Sequence, residues 1–176
     1  GLYQSADIAS LKAQKQYFGS LKWYLVLLII AAIISFFLPT NVYCALTSAG
    51  LFLITLGVLI FIRVRRPDDI WYNGRAVAES VKTRTWRWIM RAEPYEDSEN
   101  IDIVSKQFIN DLKAILHQNK SLSQSLQLST IPPEPISEKM KYIRTNSVSD
   151  RLRIYTDKRV REQANWYSLK SIFNRR

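Results

Sequence analysis

The chain has 176 residues, with 25 Lys and Arg against 15 Asp and Glu, a net charge of +10 and a pI near 9.8. One cysteine, Cys44, excludes an intrachain disulfide framework. One histidine, His117, and five glycines leave no nucleophile–His–acid spacing, no metal-ligand cluster and no phosphate-cradling loop.

The mean hydropathy of −0.12 hides a segregated chain. Between Lys22 and Arg63 no residue is charged, and the remainder reads as an ordinary basic soluble sequence. Residues 1–20 are expected to form an N-terminal cytoplasmic amphipathic helix. Residues 21–62 follow as a transmembrane hairpin, with helices over 21–38 and 42–62. The second run spans about 31 Å as a helix, matching a hydrocarbon core of about 30 Å. Its twelve Leu, Ile, Val and Phe favour insertion by about 4–7 kcal/mol with no charge to oppose them. Pro39-Thr40-Asn41 supplies a tight turn. Lys12, Lys15 and Lys22 precede the first helix, and Arg63, Arg65 and Arg66 follow the second. Positive charge at both outer ends and none in the turn places both termini in the cytoplasm. Tyr17, Phe18, Trp23, Tyr24, Phe61, Trp71 and Tyr72 fit an interfacial aromatic belt. Within the hairpin, Ser35, Thr47, Ser48 and Thr55 have two readings: close helix packing, or the lining of a water path in an oligomer. One hairpin encloses no pore alone.

Residues 63–118 read as cytoplasmic helices. Pro67, Asp68 and Asp69 suit a helix start. The stretch WYNGRAVAESVKTRTWRWIMRAEPY (71–95) then divides at helical spacing into three stripes. Gly74, Ala78, Val81, Thr85, Trp88 and Ala92 form a heptad-like seam. Trp71, Arg75, Glu79, Lys82, Trp86 and Glu93 form a mixed stripe, and a third stripe is basic. A second amphipathic helix follows Asp97, with Val104, Phe108, Leu112, Ile115 and Leu116 on its apolar face. Residues 119–136 are Ser/Gln/Pro-rich and read as a linker. Residues 137–176 read as one long cytoplasmic helix. Its seam runs Val148, Leu152, Tyr155, Arg159, Glu162, Trp166, Leu169 and Phe173. Arg159 and Glu162 interrupt that seam: either it opens to water there, or an ion-pair network with Arg75, Glu79 or Lys82 fixes its register. QANWYSLKSIF (163–173) echoes QKQYFGSLKW (14–23) with one gap. An internal duplication, with the second hairpin either absent or beyond residue 176, and chance similarity both account for the echo.

Two motifs carry a family resemblance. The first comprises Trp71, Gly74, Arg75, Glu79, Lys82, Trp86, Pro94 and Tyr95; the second comprises Arg159, Glu162, Gln163, Trp166, Tyr167, Lys170 and Asn174. With the preceding hairpin they resemble the SLATT superfamily, the SMODS- and SLOG-associating two-transmembrane effector domains. The resemblance covers most of the chain from about Lys12 to Asn174, excepting the linker. It implies an all-α protein of the bacterial inner membrane, with both termini cytoplasmic, that perforates or depolarises the membrane when a nucleotide-sensing protein or domain is triggered. On that basis the motif residues are assembly and gating residues, and Ser35, Thr47, Ser48 and Thr55 are pore-lining candidates. The expected partners are further copies of the chain, anionic lipid headgroups and the sensor. No cofactor, enzymatic activity or nucleic-acid module is expected. The alternative is a membrane-anchored scaffold or receptor subunit that recruits a cytoplasmic partner without conducting.

Overall fold

The structure, a computed structural model, describes residues 2–37, 41–96, 100–119 and 135–175. Regular structure among the described residues is entirely helical. In chain order it comprises α1 (Leu2–Phe37), α2 (Val42–Arg65), α3 (Pro67–Met90), α4 (Ile101–Gln118), α5 (Glu138–Thr145) and α6 (Val148–Tyr155). A π-helical stretch, Thr156–Arg161, then runs into α7 (Glu162–Asn174). The expected class, all-α with an N-terminal hairpin of long apolar helices, is what the chain adopts. The described residues form two compact units. The hairpin unit is Gln4–Ala76, and the polar unit holds Leu2, Tyr3 and the described residues from Val77 onward.

In the hairpin unit, α1 is one 36-residue helix where the sequence suggested separate elements over 1–20 and 21–38. The physical reason is the absence of a breaker: Gly19 alone interrupts good helix formers, and one glycine costs only about 0.5–1 kcal/mol. Pro39 and Thr40 of the expected turn lie outside the described residues. Asn41 caps α2, its side-chain oxygen accepting from the Tyr43 amide at 2.9 Å. Contact between α1 and α2 runs through small residues. Ala31 is fully buried, and Ser48 Oγ donates to its carbonyl oxygen at 3.1 Å. Thr55, two turns along the same face, is also buried. At the other end Arg66 is left-handed (φ 44°) and its amide donates to Ile62 O at 3.0 Å, which closes α2. Pro67 opens α3, where its missing N–H removes one orphan donor, and Asp68 and Asp69 occupy the first turn.

The polar unit is built on the α3 seam. Val77, Ala78, Val81, Trp88 and Ile89 are buried, as are Val104, Phe108 and Leu112 on the apolar face of α4. The Phe108 ring meets Trp88 at 5.9 Å and Tyr95 edge-on at 5.7 Å. Ile136, assigned by composition to the linker, is buried too; residues 120–134 lie outside the described residues.

The expected single helix over 137–176 is instead divided. α5 ends at Thr145, Asn146 is extended (ψ 164°), and Ser147 starts a new helix. Ser147 Oγ accepts from the Asp150 amide at 3.2 Å and donates to the Asp150 carboxylate at 2.8 Å. This local cap competes with continued helix. Farther on, the π-helical stretch alters the helical phase.

Candidate assembly and gating site

The first family-like motif is split between the two units, because α3 contributes its opening turns to the hairpin unit and the rest to the polar unit. In the hairpin unit, Trp71 sits in an aromatic cluster. Its ring lies 5.4 Å from Phe18, 6.4 Å from Tyr17 and 4.7 Å from Tyr72. Its carbonyl oxygen accepts from Ser10 Oγ at 3.1 Å. Gly74 lies against α1 so closely that a Cβ there would be 3.0 Å from Ser10 Cβ and 3.3 Å from the Ala6 carbonyl oxygen. Its role is therefore backbone approach within the chain. Arg75 is exposed.

The remaining motif residues lie in the polar unit. Arg159 reaches Glu79 at 3.4 Å and the Gln163 side-chain oxygen at 3.4 Å. Its side chain is 19 % exposed and that of Glu79 38 % exposed. Thus the charged position in the C-terminal seam is a partly sheltered ion pair with α3. Glu162 is exposed; Gln163, four residues after Arg159, takes the place beside the arginine. The strict seam shifts because the π-helical stretch immediately precedes it. Trp86 meets Tyr155 edge-on at 5.4 Å. Lys82 Nζ sits 5.6 Å from the Tyr3 ring. Pro94 follows a cis peptide bond, and Tyr95 is fully buried. The Tyr95 hydroxyl donates to Asp111 Oδ2 at 2.5 Å, and Arg84 holds the same oxygen at 3.2 Å. Burial, reinforced by the Asp111 hydrogen bond and charge, pushes the Tyr95 hydroxyl up from 10.0 to about 12, against a smaller lowering by Arg84.

Trp166, Tyr167, Lys170 and Asn174 are not gathered with these groups. They lie along α7, whose side chains are mostly exposed. Trp166 and Tyr167 pack edge-on at 4.9 Å, and Lys170 covers the Phe173 ring at 5.9 Å. In the hairpin unit the four hydroxyl residues do not share one face. Ser48 and Thr55 are buried between α1 and α2, whereas Ser35 and Thr47 are exposed. The Thr47 hydroxyl donates to Tyr43 O at 2.7 Å and that of Thr55 to Phe52 O at 2.7 Å.

Two arginines that hydrophobic periodicity does not single out hold the end of α3. Arg144 is 3 % exposed. Its Nη1 donates to Trp88 O, its Nη2 donates to Tyr95 O at 3.0 Å, and the guanidinium lies 4.8 Å from the Trp88 ring centre. Arg91 Nε donates back to the Arg144 carbonyl oxygen at 3.0 Å. Arg151, 5 % exposed, donates from Nη1 to Met90 O at 3.2 Å. The last carbonyls of a helix lack intrahelical donors and carry the negative end of its dipole. Two guanidinium groups meet both needs, and the carbonyls compensate part of the cost of burying charge. Arg144 and Arg151 lie on separate helices, with the break at Asn146 between them, so no helical repeat in the sequence connects the two.

Among the described residues no His, Cys, Asp and Glu group of metal-binding geometry occurs. Residues 1–152 match the family model described as SMODS and SLOG-associating 2TM effector domain 3. The matched segment contains the hairpin, α3, α4, α5, Arg144 and Arg151, whereas the second motif, from Arg159, lies beyond it. No curated protein and no solved structure matches the chain.

Proposed function

The chain belongs to the SMODS and SLOG-associating two-transmembrane effector domain family, and from that membership we propose an oligomeric effector that perturbs the membrane when its hairpins associate. The observation that carries this reading is the split among the hairpin hydroxyl residues. Ser48 and Thr55 are occupied between α1 and α2, while Ser35 and Thr47 point outward from a hairpin of otherwise apolar surface. Small and hydroxyl residues in membrane helices are enriched where helices meet, because they permit close approach and hydrogen bonds across the contact. A ring of hairpins gives Ser35 and Thr47 such a contact; a lone hairpin leaves them in lipid. Only 6 % and 11 % of the most apolar windows of the two spans are buried within the chain, so neighbouring copies have ample surface to use.

In this reading the protein sits in the bacterial inner membrane with both termini in the cytoplasm. Lys12, Lys15, Lys22, Arg63, Arg65 and Arg66 rest among anionic headgroups. The polar unit receives a signal from a nucleotide-sensing protein or domain, and α3 conveys it, being joined to α2 through the single residue Arg66. The ion pair of Glu79 with Arg159 and the arginine-held end of α3 are the contacts a sensor would remodel. The protein acts without enzymatic chemistry of its own.

Membrane-potential dye measurements in expressing cells, paired with sizing of the lipid-reconstituted protein, test this. Depolarisation together with a discrete oligomer is expected. A strict monomer with unaltered potential, in the presence of its sensor, overturns the proposal. Unaltered potential with a stably bound cytoplasmic partner supports a membrane-anchored scaffold instead.

A further inference from the structure

One groove of the hairpin unit is open although the helices beside it are in contact elsewhere. It has a volume of about 660 Å³, within the range of small-molecule sites of roughly 300–1,000 Å³. Lys15, Gln16 and Ser20 line one end, Leu27 and Ile54 the other, with Trp23, Val58 and Phe61 along its length. Gly19 and Gly57 form part of its wall. A Cβ at either would meet nothing within 4 Å, so the contact between α1 and α2 does not require glycine there. Gly74, which lies hard against α1, is the contrasting case.

The groove is graded. It begins at a cation and two polar side chains, passes a tryptophan and ends among aliphatic side chains. Lys15 to Leu27 is twelve residues, about 18 Å along a helix. Half of a bilayer including its headgroups is roughly 20–22 Å deep. With the membrane run beginning at Leu21, Leu27 lies about 9 Å inside it, so the groove extends from headgroup level into the acyl region of one leaflet, the reach of one lipid's headgroup and the upper part of a chain. Its polar mouth opens at the hairpin end that carries Lys12, Lys15, Lys22, Arg63, Arg65 and Arg66, which selects a negative headgroup.

We propose that this groove is a binding site for one phospholipid with an anionic headgroup, its phosphate at Lys15 and one acyl chain lying over Gly57 toward Leu27 and Ile54. The proposal rests on the membrane placement and headgroup contact argued above, and adds a discrete site to them. Lipid in that site occupies hairpin surface that another copy would otherwise cover, so headgroup composition becomes an input to assembly.

Native mass spectrometry of the full chain in detergent, supplied with equal phosphatidylglycerol and phosphatidylcholine, reads the site. Wild type is expected to retain one phosphatidylglycerol with at least a fivefold preference. Gly57→Leu, which fills the groove, and Lys15→Gln are each expected to reduce that preference at least threefold. Lys113→Gln, which removes an equal charge from the exposed side of α4 and is not part of the lining, is expected to leave it unchanged. Gly19→Leu is a second filling variant should Gly57→Leu fail to fold. If the preference persists in both filled variants, the groove proposal is overturned while general headgroup contact stands. If wild type shows no preference at all, both fail. If filling the groove changes oligomer size but not lipid retention, the groove is a protein–protein face and the lipid proposal is wrong.

Discussion

Gly74 shows how much a single missing methyl group decides in this chain. In a helix interior glycine is less favourable than alanine by up to about 1 kcal/mol, yet here a Cβ would come within 3.0 Å of Ser10 Cβ and 3.3 Å of backbone atoms of α1. Overpacking of that kind costs about 1–3 kcal/mol. Gly74→Ala is therefore expected to lower stability by about 1–2 kcal/mol, and Gly57→Ala, with open space around it, to be neutral or slightly stabilising. Detergent-titrated unfolding followed by tryptophan fluorescence measures both, and equal effects would remove the close-approach argument. Tyr95 provides a test by pH. Its hydroxyl is raised from 10.0 to about 12, chiefly by burial, so folding favours the protonated form. The resulting stabilisation is whole below pH 10 and is lost as pH rises toward 12. In a difference titration of wild type against Tyr95→Phe, the Tyr95 tyrosinate signal is expected to appear near pH 12. A midpoint near 10 would mean that the hydroxyl is not buried against Asp111.

Among the elements, α3 and the helices after residue 137 show what periodicity reveals and what it leaves hidden. Of the α3 seam, Gly74, Ala78, Val81 and Trp88 are buried, as the 3.6-residue repeat predicts, whereas Thr85 is half-buried and Ala92, past the end of α3 at Met90, is exposed. The start of α3 at Pro67 was legible for the same local reason that proline suits a first turn. Two things were not. A cap formed by Ser147 and Asp150 is strong enough locally to end one helix and begin another, but heptad counting does not register it. A buried arginine has no hydrophobic periodicity, so Arg144 and Arg151 could not be found by searching for apolar positions. Arg159 could be, because it breaks the apolar pattern, and its partner Glu79 is one of three charged residues on the mixed stripe of α3 with Arg75 and Lys82. Their side chains are partly exposed, so solvent screening keeps the pair modest. A double-mutant cycle on Glu79→Ala and Arg159→Ala, read by urea unfolding of the detergent-solubilised protein, is expected to give a coupling of about 0.5–1 kcal/mol. A coupling of zero would show that the contact does not set the register between α3 and the C-terminal helices.

At the scale of the whole molecule, charge segregation revealed the hairpin at once, because an uncharged run longer than a bilayer is thick leaves few alternatives. Which of the hairpin's hydroxyl residues face outward was not legible, since Ser35, Thr47, Ser48 and Thr55 have the same chemistry in the sequence. The fold separates them. Ser48 donates to Ala31 O between α1 and α2, whereas Ser35 and Thr47 face outward. Substitution by leucine should therefore have opposite consequences at the two kinds of position. Ser48→Leu forces a large side chain between helices joined through Ala31 and Ser48, and is expected to disrupt the hairpin itself, by about 1–3 kcal/mol of overpacking. Ser35→Leu with Thr47→Leu adds apolar surface toward lipid, which favours insertion, while removing the hydroxyls that neighbouring copies would share. The double variant is expected to insert normally, to lose its discrete oligomer and to leave membrane potential intact. Membrane fractionation, sizing in nanodiscs and the potential dye separate these outcomes. Retained depolarisation in the double variant would exclude Ser35 and Thr47 from any conducting path and would require another face of the hairpin to line it.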